Sequence, residues 1–163
     1  MYTLEQLNDL EEIRKVRSLY SHFYDANDLE NLMDLFTEDA VCEWDEKHGG
    51  TWVGKAKIRE KYQYFFDLYS GYFKVMHAVT NEWVELTGPC SAEGRCFLLD
   101  YNFIDSGKSS PLGTVGIYDD EYKKVDGKWK IYRTRIDFLW PDYEVIGGIP
   151  GHRIAGKYDT ECR

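Results

Sequence analysis

A chain of 163 residues, 43% of them hydrophobic, is long enough for one packed domain and too short for a second of full size, and it lies well outside the composition of disordered chains. Twenty basic side chains against 29 acidic ones leave a net charge of −9, which repels phosphate backbones and anionic lipid, so neither nucleic acid nor a membrane is an expected partner. An aromatic content of 16%, with 13 tyrosines, suits pocket walls and buried interfaces as well as a core.

The chain starts Met1-Tyr2-Thr3-Leu4-Glu5-Gln6, with neither the basic start nor the apolar run of a secretory signal, and no apolar run is long enough to cross a membrane. A cytoplasmic location is therefore expected. Cys42, Cys90, Cys96 and Cys162 form no C-x-x-C pair and have no histidine at zinc-ligand spacing, so reduced thiols are expected, with no metal and no cofactor.

Thr3-x-x-Gln6 has the form of a capping box, and Leu4, Leu7, Leu10, Ile13, Val16, Leu19, Tyr20, Phe23 and Tyr24 follow at helical spacing. Ala26-Asn27 breaks this helix. Asp28 caps a short second one with Leu29, Leu32, Met33, Leu35 and Phe36 on its apolar side. Thr37-Glu38-Asp39 reads as a turn, Ala40 to Trp44 as a short strand, and Gly49-Gly50 as a turn into Thr51-Trp52-Val53. Ile58, Tyr62, Phe65, Phe66 and Tyr69 mark a third helix from Lys55 to Tyr69, closed by Gly71.

The period then changes. Lys74 to Leu86, Ala92 to Phe103, Leu112 to Val125 and Lys128 to Leu139 are rich in β-branched and aromatic residues and are divided by turn chemistry, most sharply at Asp126-Gly127. Strands this long curve, with Gly94, Gly113 and Gly116 as places to bend. Helices first and an antiparallel meander afterwards make an α+β plan: a cone-shaped sheet packed on three N-terminal helices, open at one end for a small molecule. This domain covers residues 1–140. The tail, 141–163, with Gly147-Gly148 and Pro150-Gly151, is expected to be irregular and to fold over the mouth as a lid.

Alternation on the second long strand puts Gly94, Cys96, Leu98, Asp100 and Asn102 on one face, read here as the concave one, and Arg95, Phe97, Leu99, Tyr101 and Phe103 on the other. No element of the chain is left to cover that second row, so a homo-oligomer is expected. Asp100 then points into an apolar hollow. Asp25 ends the first helix, where the dipole disfavours a carboxylate, and His77 lies near the start of an apolar strand between Met76 and Ala78. Each is costly alone. The other histidines, His22, His48 and His152, are expected at the surface or in the tail, and no nucleophile elbow, P-loop or dinucleotide fingerprint is present.

The pattern Ile13-x5-Leu19-Tyr20-x4-Asp25-x2-Asp28-x3-Leu32-x3-Phe36-x2-Asp39-Ala40 resembles the amino-terminal signature of the SnoaL-like and scytalone dehydratase-like proteins of the nuclear transport factor 2-like superfamily. His77-x3-Asn81-x2-Val84, Ala92-x-Gly94 and Tyr122-x3-Asp126-Gly127-x-Trp129-x-Ile131 continue the likeness, which spans about residues 10 to 140. It implies the cystatin-like α+β barrel, a trimer in preference to a dimer, and a dyad in which Asp25 orients His77 as the base that removes a proton next to a carbonyl. Tyr20, Asp25, His77 and Asp100 are similar to the Tyr, Asp, His and Asp set of the bile-acid dehydratases. Where scytalone dehydratase has a second histidine, this chain offers Asp100 and Asn102. Tyr20 or Tyr24 is the expected hydrogen-bond donor, and Trp44, Phe66, Cys96, Leu98 and Asn102 are the expected walls around a substrate. The implied activity is that of a cofactor-independent dehydratase acting on an apolar cyclic or polycyclic substrate. An isomerase or polyketide-type cyclase, and a binding or assembly module without catalysis, are the alternatives, because this superfamily hosts all of them.

Overall fold

A computed structural model describes residues 1–69, 71–104 and 111–144. Helix α1 (Leu4–Asp25) starts at the expected capping box: Thr3 N–H donates to Gln6 Oε1 at 2.9 Å, and Gln6 N–H donates to Thr3 Oγ1 at 3.2 Å. A cap of this kind stabilises a helix by about 1 kcal/mol. Asn27 takes a left-handed conformation, φ 55°, and Asp28 caps α2 (Leu29–Asp34), with its side chain accepting from Asn31 N–H. Helix α3 (Lys55–Tyr69) follows the short strands β1 (Phe36–Glu43) and β2 (Thr51–Val53).

Four long strands complete the sheet: β3 (Val75–Leu86), β4 (Ser91–Asn102), β5 (Leu112–Val125) and β6 (Lys128–Trp140). Their order in space is β2-β1-β6-β5-β4-β3. The Asp126-Gly127 turn joins β5 to β6 with both residues at positive φ, 49° and 76°, which is the hairpin geometry that matches strand twist. The sheet bends at shifts of register, one of them between Val115 and Gly116. A Cβ at Gly116 would stand 3.0 Å from Ile136 Cδ1 and 3.1 Å from the Asp137 carbonyl, so only glycine lets β5 and β6 close there.

The chain departs from the sequence reading at residues 35–39. Helix α2 ends two residues early, and the expected turn at Thr37-Glu38-Asp39 is absorbed into β1. Phe36 is fully buried and pairs in parallel with Ile131 of β6, while Ile131 N–H donates to the Leu35 carbonyl at 2.7 Å. A register shift between Phe36 and Val41 accommodates the polar residues. Long-range pairing has outweighed local turn chemistry. The expectation of four reduced cysteines also fails: Cys42 and Cys96 are free and buried, but Cys90 is disulfide-bonded.

The helices pack on the concave side of the sheet around a core that includes Ile13, Leu32, Phe36, Ile58 and Ile131, all with no exposed surface. Ala92, Gly94, Cys96 and Leu98 are buried and Phe97 is exposed, the alternation expected for β4. No helix among the described residues is long and apolar enough to cross a membrane. The proposed lid lies, from residue 145 onward, outside the described residues.

Candidate active site

The last residue of α1 meets the start of β3. Asp25 Oδ2 accepts the His77 main-chain N–H at 2.9 Å, and Asp25 Oδ1 lies 2.6 Å from His77 Nδ1. One side chain thus grips both the backbone and the ring of a residue 52 positions away. The Asp25 main-chain carbonyl accepts from Phe73 N–H at 2.7 Å, which fixes the strand against the helix end. A carboxylate can only accept, so it holds the ring hydrogen on Nδ1 and leaves the lone pair on Nε2. The two donors of His77 also offset the unfavourable field of the helix terminus.

The ring of Tyr24 meets that of His77 edge-on at 4.7 Å between centroids and packs in turn on Phe66 and Tyr62. On the neighbouring strand Asp100 is in direct register with His77. Burial holds the Asp100 carboxyl above its ordinary value; His77 opposes that shift and the negative charge of Asp25 adds to it. Its Oδ1 is buried and has no hydrogen-bond partner among the described residues. Burial of this kind favours the neutral form of a carboxyl, the form that can donate a hydrogen.

All of these groups except Asp25, which stands behind His77, line one cavity of about 290 Å³, walled by aromatic rings. Tyr20, Tyr24, His77 and Asp100 all reach it, as do Trp44, Phe66, Leu98 and Asn102. Cys96 does not. It is buried on the same face of β4 but one layer back, where it interacts with Arg17, Asp120 and Glu82. His48, half exposed as expected, stacks on Phe138 at 4.0 Å at the cavity's edge and pairs with Asp45. No group of three His, Cys, Asp or Glu among the described residues could hold a metal ion.

A SnoaL-like domain family model matches residues 5–135. The chain belongs to that family. This SnoaL-like domain also superposes on solved structures of the nuclear transport factor 2-like fold. A candidate scytalone dehydratase from Novosphingobium aromaticivorans is 24% identical, with a TM-score of 0.72 over 92% of this chain and 97% of that one. An NTF2-like protein with a cystatin-like fold from the same species is 21% identical, with a TM-score of 0.72 over 85% and 87%. LinA is 19% identical, with a TM-score of 0.73 over 93% and 98%. At these identities the likeness is one of fold.

Arg17, Asp120 and Tyr62 of this SnoaL-like domain escaped the sequence reading. Arg17 is fully buried on α1, and its Nη1 donates to Asp120 Oδ2 at 3.2 Å. Tyr62, taken from its spacing as a core residue of α3, places its hydroxyl 2.8 Å from that of Tyr20. A signal for the first was present: Asp9, Arg17, Ser21 and Asp25 share the four-residue row of Ile13 on α1, and all are buried. Polar residues on such a row point to partners across the core.

Proposed function

We propose that the protein is a lyase that dehydrates a small cyclic hydroxy-carbonyl compound by acid–base catalysis. The observation that carries this reading is the Asp25–His77 contact at 2.6 Å, which leaves Nε2 without a partner among the described residues on a ring that lines the cavity. His77 takes the proton from the carbon next to the carbonyl. The electrons of that C–H bond form the new double bond, and the C–O bond at the next carbon breaks. Asp100, whose neutral form burial favours, gives its proton to the departing hydroxyl, which leaves as water. Asp25 stabilises the imidazolium as it forms, and phenol hydroxyls of the wall donate to the carbonyl oxygen as charge gathers there. General acid–base help of this kind is worth about 10²–10⁴-fold in rate.

The cavity's 290 Å³ corresponds to roughly ten water molecules at about 30 Å³ each. One or two fused rings fill it, and a longer skeleton would extend through the mouth. Proton return from His77 to a different carbon would make the same site an isomerase, and the product separates the two reactions. The test is incubation with a panel of monocyclic and bicyclic hydroxy-ketones, read by mass spectrometry for loss of water. His77→Gln should abolish that loss while the melting temperature stays within a few degrees of the parent. Near-normal turnover by His77→Gln would sink the mechanism.

A further inference from the structure

Beneath the Tyr20 wall of the cavity lies a polar layer that the dyad does not use. The Arg17 guanidinium sits over two rings, 4.1 Å from the centroid of Tyr20 and 3.7 Å from that of Tyr118. Asp120 anchors it from the sheet. A full positive charge thus lies against the ring of Tyr20, whose hydroxyl is 2.8 Å from that of Tyr62, and both tyrosines line the cavity.

Two phenols that share one hydrogen bond own two hydrogens. One lies between the oxygens and the other is turned away from the pair. The stronger acid of the two donates within the pair. Burial holds both phenols above their ordinary value, but Arg17 pulls Tyr20 back, whereas the chief influences on Tyr62 all push it up. Tyr20 therefore donates to Tyr62, and the accepted bond strengthens Tyr62 as a donor in its turn. The Cys42 thiol beside the Tyr62 hydroxyl is a weak acceptor, which a partly charged oxygen displaces.

We propose that Tyr62 is a catalytic residue, the donor to the substrate's developing oxyanion, and that Tyr20 and Arg17 are positioning residues acting through it. This rests on the dehydratase reading and assigns its oxyanion donor to a tyrosine on α3 rather than to the tyrosines of α1. Arg17, Tyr20 and Tyr62 form a chain that runs from a buried charge to the cavity, so the donor is polarised before the substrate arrives.

The probe is 4-nitrophenol, whose anion stands in for the oxyanion and absorbs differently from its neutral form, with 4-nitrotoluene as a neutral control of similar shape. Tyr62→Phe should raise the titration midpoint of bound 4-nitrophenol by about one unit, a tenfold loss of preference for the anion, and leave 4-nitrotoluene affinity within about twofold. Tyr20→Phe should move the midpoint the same way by less. Arg17→Met should also raise it and Arg17→Lys should restore it. Because Arg17→Met strands Asp120 and can fail to fold, the two Phe variants decide the matter alone. A shift below about 0.2 units in Tyr62→Phe overturns the proposal, as does a larger shift in Tyr20→Phe than in Tyr62→Phe, or no binding of 4-nitrophenol to the wild type. None of these readings needs turnover, so an active His77→Gln would remove the dyad and leave the shifts standing.

Discussion

Replacing Asp25 by Asn exchanges one carboxylate oxygen for an NH₂ group and sets a local puzzle with one good solution. The amide oxygen can still accept the His77 main-chain N–H, but the NH₂ then faces His77 Nδ1 across the 2.6 Å contact. Two donors cannot meet there. Turning the amide only moves the clash to the main-chain N–H. Every group is satisfied once the ring moves its hydrogen to Nε2 and Nδ1 becomes an acceptor, and that tautomer has no lone pair facing the cavity. A base held in the wrong tautomer by such a change loses about 10⁴-fold in rate, or about 5 kcal/mol on the barrier. The folded state loses less, because a charge-assisted bond gives way to a neutral one: about 1–2 kcal/mol, a fall of roughly 3–6 °C in Tm for a chain of this size. Long-range ¹H–¹⁵N spectra of the imidazole report which ring nitrogen holds the hydrogen and need no substrate. Wild type should show the Nδ1–H form and Asp25→Asn the Nε2–H form. The same tautomer in both proteins, or turnover within tenfold of wild type, would refute the reasoning.

Glu82 gives a pH test. Burial, with Arg17 opposing, raises its carboxyl from 4.5 to about 7. Between those values the folded chain keeps a proton that the unfolded chain has lost, so stability falls as pH rises through that window. Glu82→Gln should match wild type near pH 4 and exceed it at pH 8 by ~1–2 kcal/mol after allowance for solvent screening; an equal difference at both pH values in thermal melts counts against it. Asp120→Ala leaves the fully buried Arg17 without its ion-pair partner and should cost about 3–5 kcal/mol in urea unfolding at unchanged m, whereas a loss below about 1 kcal/mol would show the pair to be dispensable. The outer face of β3 and β4 leaves Met76, Trp83, Phe97 and Phe103 between 38% and 47% exposed, a patch suited to a second copy of the chain. We propose self-association on that basis, as the trimer that the family resemblance implies; sedimentation at micromolar concentration should find more than one chain together, and single chains would remove the idea.

What could be read from the sequence was local. The Thr3-Gln6 capping box, the Asp126-Gly127 hairpin and the alternation that turns Asp100 inward each depend on a few neighbouring residues, and each stands in the structure as expected. These signals work because dihedral preferences and side-chain periods act within a turn or two of chain. The parallel pairing of β1 with β6 had no such signal, and it overrode the turn chemistry of residues 37–39. Nor had the three contacts that make the candidate site. Asp25 and His77 are 52 residues apart, Tyr20 and Tyr62 are 42 apart, and Arg17 and Asp120 are 103 apart. The resemblance suggested the first of them. The other two arise only when a bent sheet closes around α1 and α3, because a buried polar group takes its partner from whatever the fold brings within reach. Alternation along one strand decides which way a side chain points, and the curvature of the whole sheet decides what it meets.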